Sequence, residues 1–188
     1  MTRREQIDQI ATSLFQKRGF SATSMRDLAT ELGIEAASLY AHIRSKEEIL
    51  HQICFRMADA FFDALEQADE EEASASGKLR QVMIAHVKVL TRNPAASAVF
   101  LQEWRHLSEP GLSRFLQLRE QYEGRFREIL RRGMETGEFA RSNEKFTALL
   151  VLSSLNWIPH WYKPEGPMSP DQIGEAIATT LLNGIRVQ

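Results

Sequence analysis

Apolar residues recur at intervals of three and four along nearly the whole of this 188-residue chain, and this spacing leaves few alternatives to a helical fold. The first apolar stripe, in residues 7–15, ends before Gly19, which acts as a helix stop. No segment alternates apolar and polar residues as a half-buried strand would. The sequence therefore predicts an all-α protein of about nine helices.

Capping residues divide this pattern into separate helices. The candidate N-caps are Thr23 or Ser24, Ser45, Asn93 before Pro94, Ser142, and Ser169, which is followed by Pro170 and Gln172. Residues 69–77 are acidic and small, and we expect a loop there. Residues 111–134 have the pattern of a long charged helix that glycines end.

The net charge of the chain is close to zero, but the charges are unevenly distributed. Lys and Arg total 23 against 25 Asp and Glu, which gives a formal charge of −2. Residues 1–46 nevertheless carry seven basic and five acidic side chains, a net charge of +2. This mild asymmetry is compatible with nucleic-acid binding by the N-terminal part of the chain.

Membrane-spanning and disulfide-rich classes fit the sequence poorly. Four charged side chains among residues 3–8 leave no apolar region for a signal peptide. The longest uncharged run covers residues 146–162 and is short for a bilayer crossing, so we expect a buried core helix that runs into an aromatic turn. The single cysteine, Cys54, excludes an internal disulfide framework. We expect a soluble, cytoplasmic protein.

Residues 25–42 have the pattern of a helix-turn-helix. Met25–Leu32 and Glu35–His42 are two short helical segments separated by Gly33. The small core between them would comprise Leu28, Ala29, Ile34 and Leu39. A second helix held at a wide angle to the first can enter the major groove of DNA, which is about 12 Å wide. The sequence therefore predicts a DNA-binding head.

The N-terminal residues resemble the head of TetR-family transcriptional repressors in order, spacing and residue type. The matching segments are Gly19-Phe20, Thr23–Ala29, Leu32–Ile34 and Ser38–Leu50. The resemblance implies a homodimer that binds a palindromic operator in double-stranded DNA, with a ligand-binding body built from the later helices. It also implies two domains, with residues 1–46 for DNA binding and residues 47–188 for ligand binding and dimerisation.

The resemblance assigns DNA contacts to residues of the head. Thr23 and Ser24 are expected to contact phosphate, or to serve only as a helix N-cap. Tyr40 and His42 match family positions that touch the DNA backbone, and Lys46 stands at the start of the next helix. The alternative for Tyr40 is a ring packed on the first helix. For base contacts we expect Glu35, Ala36, Ala37, Ser38 and Ala41.

The base-contacting set departs from the commoner pattern of the family. Three alanines occupy positions where polar or basic side chains are frequent, Ala41 replaces a common aromatic residue, and Ile43 stands where Phe is usual. Alanine can contact a thymine methyl group but cannot form bidentate hydrogen bonds with a base. Phosphate contacts and DNA shape are therefore expected to supply much of the affinity.

Two apolar helices near the C-terminus are expected to form the dimer interface. They cover residues 146–158 and 170–186, and their apolar faces comprise Leu149, Leu152, Leu155, Ile173, Ile177, Leu181, Leu182 and Ile185. In TetR-like proteins the last two long helices form a four-helix interface with C2 symmetry. The alternative is that these faces form only intramolecular core.

The middle helices are expected to enclose a pocket for a small apolar ligand. The candidate lining residues are Phe61, Met83, His86, Val87, Phe100, Trp104, Leu107, Phe115, Tyr122, Trp157 and Trp161. Large, flexible apolar side chains suit an apolar ligand better than a sugar or a metal. The alternative for each of these residues is an ordinary place in the core.

A second, local resemblance concerns the effector. Gly133–Phe139 is similar to the family's turn before its dimer helix, and residues 156–170 are similar to a branch that includes acyl-CoA-responsive regulators. An acyl-CoA effector would need cations opposite its phosphates. One predicted helix concentrates such cations: Arg114, Arg119, Arg125, Arg127, Arg131 and Arg132. The alternative is a solvated face with partners at Glu120, Glu123 and Glu128.

The sequence contains no recognisable catalytic or metal-binding motif. His51 and Cys54 lie one helical turn apart, but no further ligand completes a zinc set. We therefore expect neither enzyme activity nor a cofactor, and predict a ligand-controlled repressor whose effector tilts the helix that begins after Ser45. Two alternatives are a constitutive DNA-binding module without an effector, and a small helical carrier or enzyme.

Overall fold

The computed structural model describes residues 2–69 and 74–185, in which nine α-helices follow one another. They are α1 (Arg3–Arg18), α2 (Met25–Glu31), α3 (Ala36–Tyr40), α4 (Lys46–Asp69), α5 (Ala75–Arg92), α6 (Pro94–Gln102), α7 (Gly111–Glu135), α8 (Glu144–Asn156) and α9 (Pro170–Ile185). Short 3₁₀ turns occupy Trp104–His106 and Ile158–His160. No β-strand occurs within the described ranges, and the predicted all-α fold is confirmed.

Most of the predicted helix starts are confirmed. Ser24 caps α2 and Ser169 caps α9, each in a reciprocal capping box. Ser45 accepts a 3.3 Å hydrogen bond from the N–H of Glu48 at the start of α4. Pro94 is the first residue of α6. The first turn of a helix leaves backbone N–H groups without a partner. The three serines accept hydrogen bonds from such N–H groups, whereas Pro94 has no N–H that would need a partner.

The cap of α8 lies one residue later than predicted. Asn143, rather than Ser142, accepts the N–H of Phe146 at 2.9 Å. Asn143 has the extended backbone of an N-cap residue, with φ −73° and ψ 107°. The hydroxyl of Ser142 instead forms a 3.0 Å hydrogen bond with the hydroxyl of Thr147.

The connection between α4 and α5 is shorter than the predicted loop at residues 69–77. Residues 70–73 lie outside the described part of the chain, and α5 already begins at Ala75. The carboxylate of Glu138 accepts hydrogen bonds from the N–H groups of Ser76 at 2.9 Å and Ala75 at 3.0 Å, and these bonds lower its pKa. A helix start stabilised by a carboxylate more than sixty residues away leaves no local sequence signal.

The chain forms two compact units. One comprises residues 1–58 and 95–116, and therefore contains α1 to α3, α6, the first half of α4 and the start of α7. The other comprises residues 59–94 and 117–188, with α5, α8, α9 and the remainder of α4 and α7. The helix-turn-helix therefore shares its unit with a segment that is distant in sequence.

Each unit has its own apolar core. In the first unit Phe15, Leu28, Leu39 and Phe115 are each at most 1% exposed. In the second, α5 packs against α9, and Gly174 lies at their contact. A Cβ atom at this glycine would stand 2.9 Å from the Cα atom of Ile84, so any larger residue would force the two helices apart.

Helix α8 is not the buried core helix that the uncharged run predicts. One face is buried, at Thr147, Ala148, Val151 and Leu155. The other face is exposed, with Phe146 67%, Leu149 44%, Leu150 50% and the following Trp157 61% exposed; these four residues are named the α8 face below. No helix of the described ranges, α8 included, is both long and apolar enough to cross a membrane.

Candidate nucleic-acid interface

The helix-turn-helix is held together by a few buried side chains. Leu28 and Ala29 of α2 and Leu39 of α3 are at most 3% exposed, and Ile34 between the helices is half-buried. Gly33 makes the turn with a φ of 64°, a left-handed conformation that glycine adopts without steric cost. The N–H of Ile34 returns to the carbonyl of Ala29 at 3.0 Å. The turn therefore fixes the direction in which α3 leaves α2.

Helix α3 presents most of its predicted DNA-contacting residues to solvent. Only Leu39 is buried in this helix, and Ala36 is half-buried. The exposed residues are Glu35, Ala37, Ser38, Tyr40, Ala41 and His42. Tyr40 is 55% exposed, so its ring is not packed away on α1. Leu39 thus anchors α3 to the rest of the unit, and the polar and small residues around it remain accessible to solvent.

Ser24 is exposed and its hydroxyl is engaged in the capping box of α2. Ser24 Oγ and the backbone N–H both meet the carboxylate of Asp27, and the N–H of Asp27 returns to Ser24 Oγ at 3.1 Å. The hydrogen bonds from the side chain and backbone of Ser24 lower the pKa of Asp27. The cap therefore holds the start of α2 rigidly at the surface.

Thr23 does not present its hydroxyl to solvent, as phosphate contact would require. Its side chain is 1% exposed, and Oγ1 donates to the carbonyl of Gly19 at 2.9 Å. Its N–H donates to the carbonyl of Phe20 at 3.2 Å. Both polar groups are used inside the turn before α2, because the chain must reverse there between α1 and α2.

Lys46 also turns inward. Its Nζ donates to the carbonyls of Phe20 at 2.8 Å and Thr23 at 2.9 Å, and lies 4.3 Å from the centroid of the Phe20 ring. A cation on two carbonyls and an aromatic face is a strong local contact. In this structure Lys46 therefore joins the start of α4 to the turn before α2, and its charge is not directed to solvent.

Three arginines to which the sequence assigned no DNA contact lie around the exposed surface of α3. Arg26, Arg44, Ser24 and Tyr40 line a surface depression of about 660 Å³, and Arg26 and Arg44 are exposed. Arg4 donates to the carbonyl of His42 at 2.7 Å and pairs with Glu48. The sequence signal for these residues was the excess of basic side chains in residues 1–46.

Some of the predicted ligand-contacting residues gather in the first unit. The ring of Phe115 contacts the rings of Phe100, at a centroid distance of 5.4 Å, and Trp104, at 6.0 Å. Phe55 meets the same ring edge-on at 6.1 Å. Leu107, also predicted, is 5% exposed. We name Phe55, Phe100, Trp104 and Phe115 the first aromatic cluster.

Others gather around a buried histidine in the second unit. His86 Nδ1 lies 2.9 Å from the hydroxyl of Tyr122, and Nε2 lies 3.1 Å from Asn156 Oδ1. The Phe61 ring stands 4.6 Å from the imidazole. Burial lowers the pKa of His86 to about 4 and raises the pKa of Tyr122. Met83 and Val87, also predicted, are fully buried in the same unit.

The remaining ligand candidates are surface residues or ion-paired. Trp157 and Trp161 are 61% and 48% exposed, and the Trp157 ring stacks on His160 at 4.0 Å. In α7, Arg127 pairs with Glu120 at 2.6 Å and approaches Glu123 at 3.7 Å. That pairing of Arg127 is the solvated arrangement predicted as the alternative.

No metal or nucleophilic centre emerges from the part of the chain that the structure describes. No group of three or more His, Cys, Asp or Glu residues in that part has the arrangement of a metal site. Cys54 is buried, and burial raises the pKa of its thiol to about 12. The thiol is therefore protonated and unreactive at neutral pH.

Two family descriptions match the sequence. "Bacterial regulatory proteins, tetR family" matches residues 9–53, and "Tetracyclin repressor-like, C-terminal domain" matches residues 72–185. The chain belongs to the TetR family. It is therefore a transcriptional regulator with a helix-turn-helix, and the prediction that it is not an enzyme is confirmed by this membership.

Similarity to individual TetR-family proteins extends over nearly the whole chain. The HTH-type transcriptional repressor KstR2 of Mycolicibacterium smegmatis is 28% identical over 186 residues, 98% of this chain and 91% of that protein. The structure of the ketosteroid transcriptional regulator KstR2 of Mycobacterium tuberculosis matches with a TM-score of 0.92 at 25% identity, covering 100% of this chain and 96% of that one. AibR, solved with isovaleryl coenzyme A and operator DNA, shares the fold at 24% identity with a TM-score of 0.83, covering 96% of this chain and 98% of that one.

Proposed function

We propose that the protein is a cytoplasmic, ligand-responsive repressor that binds a palindromic operator as a homodimer and is released from it by an acyl-CoA. Residues 1–46 serve DNA binding, and residues 47–188 serve effector binding and dimerisation. The observation that carries this proposal is the exposed surface of α3 on a buried Leu39 anchor. A TetR-type head with a sealed α3 would have no means of reading DNA.

The roles within the head follow from exposure. Ser24, Tyr40 and His42, together with Arg26 and Arg44, contact phosphates and fix the position of the head on the duplex. The exposed side chains of Glu35, Ala37, Ser38 and Ala41 approach base edges, with the half-buried Ala36 beside them. Lys46 and Thr23 act indirectly, by holding the turn before α2.

Removing an exposed arginine of the head is expected to weaken DNA binding and reduce its salt dependence. Arg44→Gln removes one phosphate contact from each protomer, so the slope of log affinity against log salt falls by about 2 per dimer, with a roughly tenfold loss of affinity near 150 mM salt. The probe is a duplex selected by the wild-type protein from random DNA, and binding is measured by fluorescence anisotropy over a salt series.

The matched control is Arg141→Gln, which makes the same charge change at an exposed position between α7 and α8. This variant should keep the wild-type slope and affinity. An unchanged slope for Arg44→Gln would remove that residue from the interface. Failure of the wild-type protein to select any duplex would refute the repressor proposal itself.

The dimer is proposed to form through α8 and α9. The α8 face exposes four large apolar side chains that a monomer would leave in water. On α9, Ile177, Leu181 and Ile185 are half-buried, so they add apolar surface near the end of the chain. Two copies of these helices would bury the α8 face in a four-helix, two-fold symmetric interface.

An apolar acyl effector is supported by the aromatic composition of both units and by the relatives. AibR binds isovaleryl coenzyme A, and KstR2 is described as a ketosteroid regulator. Either the first aromatic cluster, within the first unit, or the rings around His86, within the second, would offer apolar contacts to an acyl chain. The α7 arginines other than Arg127 are the proposed partners of the CoA phosphates. To shift the protein from 1:99 to 99:1 in favour of the conformation released from DNA, the effector must bind that conformation about 10⁴-fold more tightly than the DNA-binding conformation.

The effector proposal predicts that an acyl-CoA raises the thermal stability of the protein and releases DNA. At a concentration about 100 times the dissociation constant, binding adds roughly 2.7 kcal/mol, which raises the melting temperature by about 5–10 °C. The assay compares isovaleryl coenzyme A, longer acyl-CoAs and steroid-ring acyl-CoAs with free CoA and the free acids. If none of them stabilises a protein that binds its selected duplex, the molecule is a constitutive DNA-binding module.

A further inference from the structure

We infer that Glu103 and His106, in the turn after α6, are positioning residues for the DNA-reading head. They act by holding residues 19–23, named here the α1–α2 connector. The inference rests on the proposed function and deepens it, because it places part of the machinery for operator binding outside residues 1–46. All of the contacts involved lie within the first compact unit.

The turn after α6 grips the connector with two side chains. The imidazole of His106 stacks on the ring of Phe20 with a centroid distance of 5.3 Å and an interplanar angle of 24°, and its Nε2 lies 3.5 Å from Ser21 Oγ. Glu103 Oε2 accepts the backbone N–H of Phe20 at 3.3 Å and lies 3.5 Å from the His106 ring nitrogen. The two side chains therefore support each other as well as the connector.

The connector is also held by side chains of α1 and α4. Phe20 is 5% exposed and meets Phe15 of α1 edge-on at 5.2 Å. Lys46 of α4 binds the carbonyls at Phe20 and Thr23. Because α2 starts immediately after the connector, at the Ser24 cap, the position of Phe20 sets where α2 begins and hence where α3 lies. Loss of one of these contacts would allow the helix-turn-helix to adopt positions that do not match the operator.

The same turn connects the head to the first aromatic cluster. Trp104 lies between Glu103 and His106, and its ring stacks on Phe115 at 6.0 Å. Phe115 in turn contacts Phe100 at 5.4 Å. A ligand that displaces Trp104 would move the four-residue segment Glu103–His106, in which Glu103 and His106 contact Phe20. This gives an effector a short route to α2 that does not require tilting of α4.

The first test measures DNA binding without any effector. His106→Ala and Glu103→Leu are each expected to weaken binding of the selected duplex by about five- to twentyfold at fixed salt, because the head is less preorganised. The salt slope stays at the wild-type value, since no phosphate contact is lost. Amide exchange should accelerate in the connector and α2 but not in α9.

Conservative variants separate positioning from general damage to the fold. His106→Phe keeps the stacking on Phe20, and Glu103→Gln keeps an acceptor for its N–H, so both should bind within about threefold of wild type. The side chain of His106 is 43% exposed, and its removal should leave the unfolding midpoint almost unchanged. Ser108→Ala, at an exposed position just beyond the turn, is the neutral control.

The outcomes are distinct. If folded His106→Ala and Glu103→Leu both bind the duplex within twofold of wild type, or if their salt slope falls, the positioning role is overturned. If Trp104→Leu weakens DNA binding equally in the wild-type and His106→Ala backgrounds, the route through the turn is overturned. If the wild-type protein binds no duplex, the proposed function fails first and takes the inference with it.

Discussion

Replacing Phe146 with glutamate is expected to convert the proposed dimer into monomers and to weaken binding of the selected duplex at least about a hundredfold. Phe146 is 67% exposed in one chain and belongs to the α8 face. A carboxylate there must be desolvated when two copies of the face meet, and the partner offers it only apolar groups. A monomer loses the second half-site, whose contribution to avidity is about 10²–10⁴-fold. Sedimentation velocity and anisotropy on the selected duplex measure the two effects.

A matched variant shows whether the effect belongs to the α8 face. Gln121→Glu introduces the same carboxylate at an exposed position of α7, outside α8 and α9, and should remain dimeric with wild-type affinity. Leu150→Glu, on the same face as Phe146, should behave as Phe146→Glu does. A dimeric Phe146→Glu protein that binds DNA normally would place the interface elsewhere.

The α8 face also shows why part of the fold could not be predicted from the sequence. The uncharged run at residues 146–162 correctly predicts a helix followed by an aromatic turn, but the expectation of a buried core helix does not tell the two sides of α8 apart. Burial by the same chain and burial by a second copy select the same apolar residues. Phe146 and Val151 are therefore indistinguishable in the sequence, although only Val151 is buried in the single chain.

The conformation of the helix-turn-helix could be predicted from the sequence where local geometry determines it, but not where contacts with residues distant in sequence determine it. The Gly33 turn, the Ser24 cap and the buried Leu39 follow from residue type and spacing alone. Lys46 has the same charge whether it meets a phosphate or two backbone carbonyls, and only the fold brings the carbonyls of the α1–α2 connector within reach. The contacts of Glu103 with that connector span more than eighty residues and leave no periodic signal.

The buried imidazole of His86 leads to the second prediction, which concerns how the stability of the protein depends on pH. Asn156 Oδ1 can only accept a hydrogen bond, so Nε2 carries the proton of the neutral ring, and Nδ1 accepts from the Tyr122 hydroxyl. A second proton would have to displace the hydroxyl hydrogen bond and charge a ring enclosed by Phe61 and Phe126. Burial therefore holds the pKa of His86 at about 4, below the ordinary value of 6.5.

Acidification below about pH 6.5 is consequently expected to destabilise the protein. The imidazole of the unfolded chain takes up a proton below about pH 6.5, whereas that of the folded chain does so only near pH 4. The contribution of neutral His86 to the free energy of unfolding is therefore fully present above about pH 6.5 and is lost as the pH falls from 6.5 to 4. Between about pH 7.5 and about pH 5 the loss from His86 is about 2 kcal/mol. Urea unfolding at fixed protein concentration measures it. The lowered pKa values of Glu48 and Glu138 add further loss of stability at more acidic pH, near and below the ordinary glutamate pKa of 4.5.

The contribution of His86 is isolated by comparison with two variants. His86→Gln keeps one hydrogen bond in the cluster and has no titrating ring, so it should be less stable at neutral pH but lose about 2 kcal/mol less than wild type on acidification. His42→Gln removes an exposed ring and should keep the wild-type pH dependence. Because the carboxylates are common to all three proteins, their effect cancels in the difference. Equal acid sensitivity of wild type and His86→Gln would mean that the buried imidazole already accepts a proton in the folded protein near pH 6, and that the cluster opens to water.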